Sequence, residues 1–107
     1  MELEKEYYGI TEAAEMLHLS TSLLRYWENE FPQIKPYKNK KGDRYFTKKD
    51  IETIQTIYYL TKIQGFTLQG AKLELSNNPG KHTSKARALL ALHTIRGHLL
   101  EIKENLD

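Results

Sequence analysis

The segment ITEAAEMLHLSTSLLRYWENE, residues 10–30, decides the fold. Thr11 is a predicted N-cap for a first helix over Glu12–His18, because its hydroxyl can accept a bond from a free backbone N–H of the first turn. Ser20 is the predicted N-cap of a second helix that reaches about Glu30. Two helices this short with so small a gap must cross at a steep angle, which predicts a helix-turn-helix.

The residues that follow predict a small β-hairpin. Pro32 disfavours helical geometry at the residue before it and so ends the second helix. The stretch Tyr37–Phe46 has aromatic ends, and its centre, Asn39–Gly42, contains residues that readily adopt positive φ. Because side chains alternate between the two faces of a strand, Phe46 lies on the face opposite to that of Tyr45, and we expect it to anchor the hairpin to the core.

Two further helices are predicted after the hairpin. Thr47 and Asp50 have the spacing of a capping box, and apolar residues follow at helical intervals until Gly65, a predicted C-terminal cap. Thr67 is the predicted N-cap of a fourth helix reaching about Leu75, which Gly70 weakens by about 1 kcal/mol relative to alanine.

The sequence Asn77–Gly80, NNPG, is the clearest break in the chain. It divides the chain into a predicted DNA-binding domain (1–76), a linker (77–83) and a dimerisation helix (84–107). The last part carries apolar residues at alternating spacings of four and three, an a/d heptad stripe. The stripe consists of Ala88, Leu92, Ile95, Leu99, Ile102 and Leu106. Pairing with a second copy of the chain is the simplest way to bury this stripe, although the helix could also fold back on its own domain.

Composition limits the class of protein. A chain of 107 residues with 39% hydrophobic content supports one compact domain and an extension. It has no cysteine, no apolar run near 18 residues and no signal-peptide pattern at its start. These features predict a cytoplasmic protein without disulfides, thiol ligands or a membrane partner.

Basic residues are concentrated in and around the predicted hairpin. Ile34–Lys49 contains seven basic residues and one acidic residue, a net charge of +6, which leaves −4 for the rest of a chain whose total is +2. Such a run can be a solvated loop. Next to a helix-turn-helix, it is also suited to contact phosphates.

The predicted DNA-binding residues lie on the second helix and the hairpin. The second helix of a helix-turn-helix enters the major groove with its N-terminal part. Leu24 and Trp27 are expected on its buried side. The candidates for DNA contact are Thr21, Ser22, Arg25 and Tyr26 on the helix and Lys38, Lys40, Lys41, Arg44 and Tyr45 on the hairpin.

The residues do not favour an enzyme. There is no phosphate-binding glycine motif, and the spacing of His93 and His98 does not place two ligands on one helix face. Ser20 next to His18 is better explained by helix capping than by nucleophilic catalysis. We therefore predict no catalytic residue, metal or cofactor.

Several ordered motifs resemble the MerR family of regulators. They span about Tyr7 to Leu75 and occur in the order expected for that family. The motifs are Tyr8–Ala14, Leu19-Ser20, Leu24–Glu28, Gly42–Thr47, Asp50-Ile51 and Gly65–Leu68.

The resemblance implies a mainly α-helical winged helix-turn-helix with four helices and a small β-hairpin wing, followed by a long coiled-coil helix. It further implies a homodimer joined by an antiparallel coiled coil, bound to promoter DNA that it bends and untwists so that RNA polymerase can engage. By position, Arg25, Tyr26 and Arg44 would contact the DNA backbone. No effector domain or cysteine ligands follow the helix, so regulation without an effector is expected.

The sequence departs from the family pattern at Thr21, Asp43 and Gly70. Asp43 replaces an aromatic residue or histidine and should slightly weaken the attraction of the wing for phosphates. Two other functions stay open from the residues. One is an excisionase-like architectural factor that bends DNA, and the other is a protein-interaction module whose basic wing is incidental.

Overall fold

The computed structural model describes residues 5–88. The predicted stripe positions from Leu92 onwards lie outside these residues, and Ala88 is the last one described. The elements, in chain order, are β1 (Tyr7–Gly9), α1 (Ile10–Leu17), α2 (Thr21–Glu30), β2 (Tyr37–Lys38), β3 (Arg44–Thr47), α3 (Lys48–Tyr58), a π-helical turn (Tyr59–Ile63) and α4 (Leu68–Asn77). Residues 83–88 are again helical.

The first helix begins earlier than its predicted cap. Gly9 is the N-cap residue, it makes no side-chain cap bond, and α1 starts at Ile10. The prediction of Thr11 as N-cap was therefore wrong, because β1 runs directly into the helix and leaves Thr11 within its first turn. The helix closes at His18, whose φ of 57° is left-handed, so this residue is outside the helix.

The cap of α2 is confirmed. The Ser20 Oγ accepts a hydrogen bond from the Leu23 N–H at 3.1 Å. The helix ends at Glu30, and Phe31, before the proline, is extended. Leu24 and Trp27 are buried, as their spacing predicted.

The wing belongs to a three-stranded antiparallel sheet in the order β1-β3-β2. The predicted hairpin is formed by β2 and β3, and the structure adds β1, which pairs with β3. Tyr8 and Phe46 lie opposite each other across that pair, and both are buried. Phe46 therefore anchors the wing to the core, as predicted.

The capping box at α3 is present in full. The Thr47 Oγ1 accepts from the Asp50 N–H at 3.1 Å, and the Asp50 carboxylate accepts from the Thr47 N–H at 3.0 Å. The other Asp50 oxygen accepts from the Lys35 N–H at 3.0 Å, which fixes the segment before β2. Helix α3 forms the centre of the core, whose largest fully buried side chains are Phe31, Phe46, Leu24, Ile51, Ile54, Ile57 and Leu60.

The fourth helix begins as predicted. Gly65, at φ +79°, turns the chain, and the Thr67 Oγ1 accepts from the Gly70 N–H at 3.0 Å. A Cβ at position 70 would lie 3.2 Å from that hydroxyl oxygen. Glycine at this position thus leaves room for the cap, a benefit that offsets its lower helix propensity.

The chain after α4 returns to the domain. Gly80 adopts φ +83°, and Ala86 is buried in the core cluster. The Arg87 guanidinium binds Glu52 of α3 at 2.7 Å. The start of the C-terminal helix therefore contacts the first domain, while the division at 77–83 stays a prediction. Within residues 5–88, no helix is long and apolar enough to cross a membrane.

Candidate nucleic-acid interface

One face of α2, the predicted recognition helix, is open to solvent. Because successive helical residues are about 100° apart, burial of Leu24 and Trp27 turns Ser22, Arg25 and Tyr26 outward. Thr21, at the first helical position, is half-buried. The structure thus places the predicted contact residues of this helix on or beside its exposed face.

The tip of the wing is a compact turn built on Asn39. Its Oδ1 accepts hydrogen bonds from the backbone N–H groups of Lys41 and Asp43 at 2.9 and 3.0 Å. Gly42 adopts φ +86°, a conformation that glycine takes without steric cost. Lys40 and Lys41 are exposed at this tip, so the turn presents two adjacent cations on an ordered backbone.

A carboxylate joins the wing to the recognition helix. The Arg44 Nε–H donates hydrogen bonds to both carboxylate oxygens of Glu28, on α2, at 3.0 and 2.9 Å. The Lys38 Nζ lies 3.9 Å from the same group. The Glu28 side chain is only 8% exposed, so its carboxylate is shielded from solvent, while the Arg44 side chain is 25% exposed. Arg44 therefore holds the wing against α2 in addition to any contact with DNA.

A cleft of about 410 Å³ lies between the wing, the N-terminal end of α1 and Arg25 of α2. Arg25 and Arg44 both line it, together with Glu12 and Asp43. The acidic groups have partners: Glu12 pairs with Lys5 at 2.5 Å, and the Asp43 Oδ2 accepts from the Asn39 Nδ2 at 3.1 Å. The hydrogen bond to Glu12 raises the pKa of Lys5.

Three of the predicted cations carry uncompensated charge. Among residues 5–88, ion pairs involve Lys38 and Arg44 but not Arg25, Lys40 or Lys41. Arg25 is exposed on α2, and the two lysines are exposed at the wing tip. The Glu28–Arg44 pair connects these two elements, and Arg25 lines one cleft with wing residues Gly42 to Tyr45, next in sequence to the two lysines. An anion with regularly spaced charges, such as a phosphodiester backbone, suits these cations.

The family follows from a comparison with known proteins. A family described as "MerR HTH family regulatory protein" matches residues 8–78, well over half of the chain. This chain belongs to the MerR HTH family. The resemblance carried by its motifs is therefore confirmed.

Individual members of the MerR family are similar over most of the chain. "HTH-type transcriptional regulator CueR" of Yersinia pestis is 27% identical over 100 residues, which cover 90% of this chain and 71% of that protein. HiNmlR, a MerR family regulator lacking the sensor domain and crystallised bound to promoter DNA, superimposes with a TM-score of 0.57 at 25% identity, covering 94% of this chain and 82% of that one. A MerR family transcriptional regulator from Bacillus thuringiensis gives 0.52 at 26% identity, covering 94% and 96%.

Two features of this MerR-family chain were not predicted. The first is the pair between Glu28 and Arg44, because an acidic residue 16 positions from an arginine gives no local signal of pairing. Asp43 was expected only to weaken phosphate attraction, yet it also closes the wing turn through Asn39. Among residues 5–88, there is no group of three acidic, histidine or cysteine residues that could hold a metal ion.

Proposed function

We propose that this MerR-family protein is a sequence-specific, double-stranded DNA-binding transcription regulator. The observation that carries the proposal is the Glu28–Arg44 pair, which joins the exposed face of α2 to the basic wing. Arg25 and the other exposed α2 residues would read or grip the major groove, and the wing lysines would lie along phosphates. The promoter-DNA complex of HiNmlR, a protein of similar fold, supports this assignment.

The protein is proposed to act as a homodimer on a palindromic promoter site. The a/d stripe that starts at Ala88 would form an antiparallel coiled coil with a second copy. Two copies would present two recognition helices to two half-sites and distort the DNA between them so that RNA polymerase can engage. Contacts of Ala86 and Arg87 with the first domain would fix the direction in which the dimerisation helix leaves it.

Selection from a random duplex library at two salt concentrations tests this proposal. The selected DNA is sequenced, and the mass of the protein is measured in solution. A palindromic consensus together with a dimer mass would support the regulator. Salt-sensitive binding without a consensus would indicate an architectural DNA-bending factor instead. Absence of duplex binding at low salt would reject a DNA-binding function and leave a protein-interaction module.

Substitution of Glu28 tests whether the wing and α2 act as a unit. Glu28→Gln removes a negative charge from the proposed DNA-binding side, so charge alone would raise affinity. We expect duplex affinity to fall about threefold to tenfold instead, because the half-buried Arg44 loses its partner and releases the wing. The free energy of unfolding should also fall by about 1.5–3 kcal/mol, the typical value of a hydrogen bond to a charged group.

Glu15→Gln is the matched control, since Glu15 is exposed on α1 and its loss changes the net charge equally. Both variants can be compared by fluorescence anisotropy and urea denaturation. If Glu28→Gln raises duplex affinity as much as Glu15→Gln does, the pair has no role in positioning the wing.

Leu99→Lys tests the dimerisation stripe. A lysine at this a/d position would place an unpaired charge in the proposed coiled coil. We expect the dimer to dissociate at a higher protein concentration than the wild type, and operator affinity to fall roughly a hundredfold, the low end of the gain from linking two binding sites. Sedimentation and anisotropy measure the two effects. Thr94→Lys, which introduces the same charge off the stripe, should leave both unchanged; an unaltered mass for Leu99→Lys would reject the heptad assignment.

A further inference from the structure

The outer face of the wing sheet carries three tyrosines. Side chains alternate between the two faces of a strand, and the register places Tyr8 and Phe46 together on the buried face. Tyr7 and Tyr45, their neighbours in the strands, therefore lie on the other face. Tyr37 is the cross-strand partner of Tyr45 and shares that face. We call Tyr7, Tyr37 and Tyr45 the tyrosine face.

The three rings form one cluster, in which Tyr7 and Tyr37 are exposed and Tyr45 is half-buried. The centroid of Tyr37 is 6.4 Å from that of Tyr7 and 6.3 Å from that of Tyr45. The rings are tilted by 57° and 40°, so they do not stack flat on one another. Tyr7 is 51% exposed and Tyr37 is 60% exposed, unlike Tyr8 on the opposite face, which is buried. Adjacent exposed aromatic rings of this kind favour a binding surface.

The tyrosine face lies on the side of the wing sheet away from α2, and only Tyr45, a predicted duplex contact, also lines the cleft shared by Arg25 and Arg44. Lys38 and Arg44, the next cross-strand pair, contact Glu28 of α2 on the inner side of the sheet. Tyr37 and Tyr45 precede and follow these residues in their strands and lie on the outer side. A ligand on the tyrosine face would therefore meet a different side of the wing from the one that contacts α2.

The surrounding charge decides what kind of ligand fits. Exposed lysines flank the strands in the sequence, Lys35 before β2 and Lys48 and Lys49 after β3, and they outnumber the exposed Glu6 that precedes Tyr7. Clustered aromatic rings can also hold a cation such as a methylated ammonium group, but a lysine-rich surrounding repels it. Aromatic rings beside cations are instead the combination that binds single-stranded nucleic acid, where bases stack on the rings and phosphates meet the lysines.

We propose that the tyrosine face is a second nucleic-acid site that binds unpaired DNA bases by stacking. Its ligand is a single strand, independent of base sequence, because every base has a flat aromatic face. The site goes beyond the duplex recognition proposed above and does not require it. In a distorted duplex, an exposed or unpaired base next to the wing would be the natural occupant.

The test uses the full chain and a fluorescein-labelled 15-nucleotide oligo(dT) strand, with binding followed by anisotropy at low salt. Tyr37→Ala removes the most exposed ring of the face and should weaken oligo(dT) binding about fivefold to 150-fold, the factor for one base stacked on one ring. Tyr37→Phe keeps the ring and should retain binding. Tyr26→Ala is the matched control, since Tyr26 is 48% exposed but lies on α2.

The expected result is a double dissociation. Tyr37→Ala should lower affinity for the single strand and leave duplex binding unchanged. Tyr26→Ala should lower affinity for the selected duplex and leave oligo(dT) binding unchanged. No binding of oligo(dT) by the wild-type chain, or equal affinity of wild type and Tyr37→Ala for it, would overturn the proposal; a peptide would then be the ligand class to examine. Oligo(dT) binding that depends on Tyr37, in a protein with no duplex consensus, would uphold this inference while rejecting the proposed regulator.

Discussion

Arg25→Ala is expected to abolish most of the specific affinity for duplex DNA. Arg25 is exposed on α2 and forms no ion pair among residues 5–88, so its charge is available to a phosphate or a guanine edge. Loss of one such contact costs about 1–3 kcal/mol. The proposed dimer would lose it at both half-sites, about 2–6 kcal/mol in all, which corresponds to a drop in affinity of roughly 30-fold to 20,000-fold.

The measurement is anisotropy with the selected duplex at one fixed salt concentration. Lys62→Ala is the control, because Lys62 is an exposed cation in the π-helical turn, which belongs neither to α2 nor to the wing. It should change affinity less than twofold. The thermal midpoint of Arg25→Ala should equal that of the wild type. A loss of less than threefold with Arg25→Ala would place the DNA on another surface.

Phe46→Ala is expected to unfold much of the domain. Phe46 is fully buried and is the side chain by which the wing sheet enters the core. Truncating a buried phenylalanine costs about 3–5 kcal/mol, which is a large part of the 5–15 kcal/mol that stabilises a typical domain. Since the same side chain positions β3, duplex binding should be lost together with the fold.

Urea denaturation followed by the Trp27 fluorescence measures this loss. Tyr37→Ala is a matched control, since it truncates an aromatic residue of the same sheet on the exposed face. It should change the free energy of unfolding by less than about 1 kcal/mol. A similar small change for Phe46→Ala would mean that the wing is not coupled to the core.

The features predicted correctly from the sequence are mostly local. Ser20, Thr47 and Thr67 each accept a hydrogen bond from the residue three positions ahead, so donor and acceptor both lie within one short motif. Gly42 and Gly65 have positive φ at the predicted turns. These interactions need no knowledge of the rest of the chain. The family resemblance rests on the same motifs and was confirmed.

The failures involve partners that are distant in sequence. Strand β1 has only three residues, too few to show alternation, and exists because β3 supplies its hydrogen-bonding partner. That strand leads straight into α1, which is why Thr11 is not the N-cap. The sequence also gave no reason to expect the π-helical turn at Tyr59–Ile63.

The candidate site also combines features that local sequence predicts with features that depend on residues far apart in the chain. The residue types on α2 and in the wing, and the phase of the recognition helix, follow from helical periodicity and from the excess of lysine and arginine around the hairpin. The connection between the two elements does not. Glu28 and Arg44 are 16 residues apart, and Lys72 binds Glu30 across 42.

What the sequence alone determined is therefore the helices up to α4, the caps at Ser20, Thr47 and Thr67, the basic wing and the family, because caps, turns and amphipathic periods act over a few residues. The tertiary structure decided which cation is held by Glu28, which are free, and that three tyrosines share one face. Strand register and helix crossing fix these facts, and both depend on contacts between residues far apart in the chain.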